Sequence, residues 1–178
     1  MVLTKEELLA KLQHEVRILL HLTSKVEAKD LDYRPTPSQR SLIELLQYCT
    51  VFVPIHLRTI KAGVWDLEVW RNDWQTEEAA AKVRNLEELK AEISRQPELF
   101  SQILEPFTDA DLRTEMEMFG RSDSRGSWLV WMVLCHYVAY RTQLFLYLKS
   151  CGHQDLGTVN LWAGMDARTR PRENVGSS

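Results

Sequence analysis

An all-α bundle of four long helices is the fold class this 178-residue sequence predicts. Three observations carry the prediction. Four apolar runs recur at helical spacing, each opening on a residue that can cap a helix; proline-bearing connections separate the first two runs; and strand-like alternation is confined to Arg113–Met118. Hydrophobic content of 44% and charged content of 26% are ordinary for one globular domain, and no composition shift argues for a second. The expected organisation is a bundle over residues 1–152 and an irregular tail over 153–178.

The first helix is expected from Lys5 to about Val26. Thr4 and Glu7 form a capping box, in which each side chain bonds the other residue's amide, and Leu8, Leu12, Val16 and Leu19 follow as the stripe. His14 and His21 share a face of it. Their charged neighbours Glu15 and Arg17, and the lack of a third ligand, place them on solvated surface rather than at a metal. Asp32–Arg40 carries Pro35 and Pro37, which cannot continue a helix, so an extended connection is expected.

Ser41 and Glu44 box a second helix that ends near Ala62 with Gly63 as its stop and is kinked at Pro54. Val64–Arg84 holds Trp65, Trp70 and Trp74 among charges without clean periodicity and reads as a loop or short helix covering one end of the bundle. Asn85 and Glu88 open a third helix, with a kink or restart at Pro97. Thr108 and Asp111 cap a short turn. Residues 113–118 alternate polar and apolar, and 120–126 form a flexible approach to the last helix, for which Ser127 is the expected cap. That helix is apolar nearly all round from Trp128 to Tyr140, as expected of a central helix shielded from water. Arg141, Thr142 and Gln143 interrupt the run before it is long enough to span a membrane. In the tail, Leu161 and Trp162 are expected to pin the chain to the bundle.

The net charge of -3 is spread without a basic block, so nucleic acid is not expected as a partner. Cys49, Cys135 and Cys151 are odd in number and form no CxxC pair. They imply a reducing compartment, with Cys49 and Cys135 buried in apolar runs. The amino-terminal stretch is charged within five residues and lacks the apolar core of a signal peptide, so a cytoplasmic location is expected, without membrane attachment.

Inside the last helix, His136 and Tyr140 lie four apart and therefore face one spot a turn apart, as two metal ligands, a pocket wall or a mutually bonded pair would. On helix two, Tyr48 and His56 differ by about 80° in azimuth. Only one of them is expected to face the bundle centre, and Tyr48 is the choice. The start RSLIELLQY of helix two, the DADL turn and HYVAYRTQLFLYLKSCG together resemble the DinB-like (YfiT-type) four-helix bundle family over roughly Lys5 to Gly152. The resemblance implies kinked helices, long crossover loops and a divalent metal held by three histidines, one on helix two and two on the last helix.

Laid on this sequence, those ligand positions fall at Tyr48, His136 and Tyr140. Arg141 and Gln143 match the family's arginine and glutamine, while Thr142 stands where glycine is usual and Tyr137 where an acidic residue is common. A phenol is a poor ligand for zinc or nickel at neutral pH, so the site is expected to be degenerate and without a cofactor; ferric iron is the ion that could best use tyrosines. Cys49 and Cys135, next in sequence to two of the positions, point about 100° away. The expected function is therefore a non-catalytic or small-molecule-binding member of the family. The alternative is a metal-assisted, thiol-dependent transferase or hydrolase acting with a low-molecular-weight thiol, His136 being the candidate catalytic residue. The resemblance further implies a homodimer, and the family's name suggests a link to DNA damage.

Overall fold

A computed structural model describes residues 3–167. Capping decides where its helices begin. Thr4 opens α1 (Lys5–Thr23), Ser41 opens α2 (Leu42–Ala62) and Asn85 opens α4 (Leu86–Leu104), each through the reciprocal box with a glutamate three residues on. Gly63, at φ +70°, closes α2 in the left-handed conformation that a residue without Cβ adopts freely. α4 runs through Pro97 without restarting.

The segment after Gly63 corrects the expectation of a short cover. Asp66 accepts from the amides of Glu68 and Val69 and starts α3 (Leu67–Lys82), a helix of 16 residues lying along α2. Only a narrow strip of α3 is covered, with Ala81 its one buried residue and Trp70 and Trp74 packed beside it. So thin an apolar strip among charges produces no legible period.

The approach to the last helix is also more ordered than expected. Glu115–Met118 (β1) pairs antiparallel with Arg121–Ser124 (β2), Met118 opposite Arg121, and Met116 and Met118 are buried. Phe119 and Gly120, at φ +54° and +73°, make the two-residue turn whose twist suits a hairpin. Ser124, not Ser127, caps the helix, its hydroxyl accepting from the Ser127 amide. The last helix then has three parts: α5 (Arg125–Leu129), a wider-wound π turn (Val130–Leu134) and α6 (Cys135–Ser150).

α1, α4, α2 and α6 contact one another in a closed ring, so α1 and α2 stand diagonally and the connection between them crosses the bundle. The core between them includes Leu12, Leu45, Phe52, Phe100 and Leu144, all fully buried. α6 is not shielded all round. Trp131 of the π turn and Cys135, Val138 and Leu146 of α6 line an exposed outer face, so of the two thiols expected to be buried only Cys49 is. Thr158–Ala163 of the tail form α7, which lies against α1 and α6; residues 168–178 are outside the described region. Gly164 passes so close that a Cβ there would sit 3.0 Å from the Ile18 backbone.

Candidate functional site

On α2 the side chains Tyr48, Phe52 and His56 follow at intervals of four, and on α6 so do His136 and Tyr140. Tyr48 meets Tyr140 with ring centres 4.8 Å apart, and His56 meets His136 at 5.7 Å. The pairs run in opposite chain order, so the two helices are antiparallel along this seam. Phe52, fully buried, sits between them and packs on His136 at 5.2 Å. The three residues singled out in the sequence therefore converge, and His56, set aside there, joins them. Two stations on α6 receive two stations on α2, and the 80° of drift over two turns does not separate them. α3 closes the outer side with Trp74 against Tyr48 at 5.7 Å and Trp70 stacked on His56 at 6.4 Å. Phe52, His56, Trp70 and Trp74 are what sequence reasoning missed. The interval of four repeated on two facing helices was the available signal.

Burial favours the neutral forms of Tyr48, His56 and His136. Burial pulls the His56 imidazole down to about 3, and the nearby His136 adds to the effect. Burial also lowers His136, opposed by a bond in which its Nδ1 faces the Trp131 carbonyl at 3.2 Å. Tyr48 is pushed well above an ordinary phenol, by burial first and by Tyr140 next. Cys49, wholly buried, is pushed up to about 12 and supplies no thiolate. The Nδ1 atom of His56 is buried without any hydrogen-bond partner.

Residues flanking the seam on α6 are structural. Tyr137, standing where the family often has an acid, is fully buried and donates to Gln96 Oε1, while Gln96 donates onward to the Cys49 carbonyl at 2.9 Å. Arg141 pairs with Glu15 on α1 and donates to the Leu161 carbonyl at 2.6 Å. Gln143 donates to the Tyr147 hydroxyl, which donates to the Arg40 carbonyl. His14 and His21 help seat α7, through the Trp162 carbonyl and Asn160 respectively.

A cleft of about 270 Å³ opens between α2 and α3 beside Tyr48, with Val51, Trp74 and Lys82 on its walls and the Arg40 guanidinium 4.1 Å above the Tyr48 ring. A larger cavity of about 590 Å³ lies elsewhere, between the start of α1 and the hairpin. The donor set at the three family positions, two neutral phenols and one imidazole, does not fit a zinc or nickel ion. Among the described residues no group of three or more His, Cys, Asp or Glu side chains is arranged to hold a metal, and no helix is long and apolar enough to cross a membrane.

No protein-family profile and no curated protein matches the sequence. The structure is similar to the crystal structure of a DinB-like protein, YjoA, from Bacillus subtilis. The TM-score is 0.64 at 20% identity, covering 84% of this chain and 94% of that one. The fold is therefore a DinB-like helical bundle.

Proposed function

We propose that the chain is a non-catalytic, small-ligand-binding protein on the DinB-like scaffold, with a tyrosine–histidine cluster in the place of a metal centre. One observation carries the reading: Tyr48 and His136 each meet Tyr140 and all three rings pack against Phe52, so the side chains gathered at that point are two phenols and one imidazole. Cys49, the one buried thiol among the described cysteines, has its pKa pushed up to about 12 by burial and so supplies no thiolate nucleophile. The cleft beside Tyr48, at about 270 Å³, lies just below the usual range of ligand pockets, which begins at about 300 Å³. It suits a compact molecule that can lie on an aromatic wall under Arg40.

The test has two arms. The full chain, incubated with zinc or nickel and desalted, is expected to retain far less than one ion per chain. Near-stoichiometric divalent metal that disappears in His136→Ala would overturn the reading in favour of the metal-assisted thiol transferase. In the second arm, a fragment that raises the melting temperature of the wild type but not of Tyr48→Ala supports binding in the cleft, and a complete screen without such a fragment counts against it.

The same proposal extends to a second copy of the chain as the partner of the outer face of α6. From Trp131 to Ala139 the chain carries no acidic or basic residue but His136, and the Arg121 guanidinium over the Trp131 ring at 5.2 Å is the charge that borders the stripe, so an identical stripe complements its apolar part by two-fold symmetry. A monomer mass by light scattering at high micromolar concentration would remove the dimer without touching the site.

A further inference from the structure

Among the described residues four buried side-chain atoms have no hydrogen-bond partner, Nδ1 of His56, Nε1 of Trp65, Nε1 of Trp70 and Nε of Arg125, and of these only His56 Nδ1 can offer a lone pair to a ligand. His56 is 1% exposed, and a buried imidazole nitrogen without a partner is a net cost to the fold. Apart from His136, the rings packed around it are Phe52, Trp70 and Trp74. His136 faces it at 5.7 Å between ring centres, with the planes inclined at 62°.

His136 is oriented in the way metal-bound histidines are. Its Nδ1 donates to the Trp131 carbonyl, which leaves the Nε2 lone pair free and fixes the ring. That carbonyl belongs to the π turn immediately before His136, and turns of this kind gather at functional sites. An ion about 2.0 Å from one nitrogen of each of two imidazoles sets the ring centres about 5–6 Å apart for angles between tetrahedral and nearly linear. The observed spacing lies in that interval.

The surroundings choose the ion. Two neutral imidazoles bring no charge, and no carboxylate or thiolate completes a ligand set among the described residues. A doubly charged ion would be left uncompensated among aromatic rings. A singly charged, soft ion accepts few ligands, suits imidazole nitrogen, and is attracted by the faces of tryptophan. We propose that His56 and His136 together bind one cuprous ion among the rings of Phe52, Trp70 and Trp74. This rests on the reading that the phenols at 48 and 140 exclude a divalent ion, and the ion is a ligand of the seam separate from an occupant of the cleft beside Tyr48.

The experiment is an anaerobic titration of the full chain, carrying Cys135→Ser and Cys151→Ser to remove the accessible thiols, against Cu(I) held by a chromophoric chelator. One Cu(I) per chain is expected, with quenching of tryptophan fluorescence. Binding should weaken at least about tenfold in both His56→Phe and His136→Phe and stay unchanged in Tyr48→Phe and Tyr140→Phe. Circular dichroism identifies folded variants, and His56→Asn replaces His56→Phe if the latter does not fold. Absence of Cu(I) transfer, or transfer that survives loss of His56, overturns the proposal. A parallel zinc titration separates the two failures. Stoichiometric zinc sinks the divalent exclusion, whereas neither zinc nor copper sinks the cuprous site alone.

Discussion

Two faces of α6 bury polar side chains, and they meet the cost of doing so in opposite ways. On the face toward α1 and α7, Arg141 is paired with Glu15 and bonded to the Leu161 carbonyl, with its guanidinium over Trp162. Charge is present there and matched. On the face toward α2, His136 and Tyr140 meet Tyr48, Phe52 and His56; the one charge beside these rings is the Arg40 guanidinium over Tyr48, and one nitrogen of His56 is unmatched. A buried polar group that is fully satisfied holds a fold together, while one left open next to a second titratable ring is where a ligand can gain binding energy. The Arg141 face is accordingly structural, and the His56 face is the candidate site.

Four measurements can break or sharpen that contrast. The largest effect belongs to Arg141→Ala. It strands the buried Glu15 carboxylate and should cost about 3–5 kcal/mol by urea denaturation. A cost below about 1 kcal/mol would erase the distinction between the faces.

Tyr137→Phe comes next. It leaves Gln96 Oε1 buried without its donor and should cost about 1–3 kcal/mol.

The open face should reveal itself through pH. The folded pKa of His56, about 3, lies below the ordinary value of 6.5, so between those values the unfolded chain binds more protons and stability falls as pH falls. From pH 7.5 to pH 5 this group removes about 2 kcal/mol, and His136, also lowered, acts in the same direction. His56→Phe should flatten that part of the stability curve and be nearly neutral at pH 7.5, because no hydrogen bond is lost. An unchanged acid slope would show that His56 is not buried neutral.

The smallest effect is Trp162→Ala, where the side chain is 61% exposed. Loss of its contact with Arg141 should cost about 0.5–1 kcal/mol.

How much of this was legible depends on how local each cause is. Thr4, Ser41 and Asn85 cap helices where the sequence places them, because a capping box closes within four residues. α3 was not legible: its cap Asp66 lacks the glutamate three residues on, and its strip of cover amounts to little beyond Trp70, Trp74 and Ala81. Ser124 takes the cap expected at Ser127 because the hairpin delivers the chain one turn earlier, and no local signal announces the pairing of β1 with β2. The convergence of Tyr48, His136 and Tyr140 followed from spacing together with resemblance. Phe52 as their common neighbour, and Trp70 and Trp74 as an outer wall, depended on which face of α3 meets α2.

By itself the sequence determined the helical class, three of the four long-helix starts, the end of α2 at Gly63 and the identity of the groups at the family's ligand positions. All of these are set by residues within a turn or two of one another, or by composition. Only the tertiary structure decided that His56 faces His136 and that Arg141 is buried against Glu15. Both depend on the relative placement of helices far apart in the chain, which packing of the whole core fixes and no local spacing encodes.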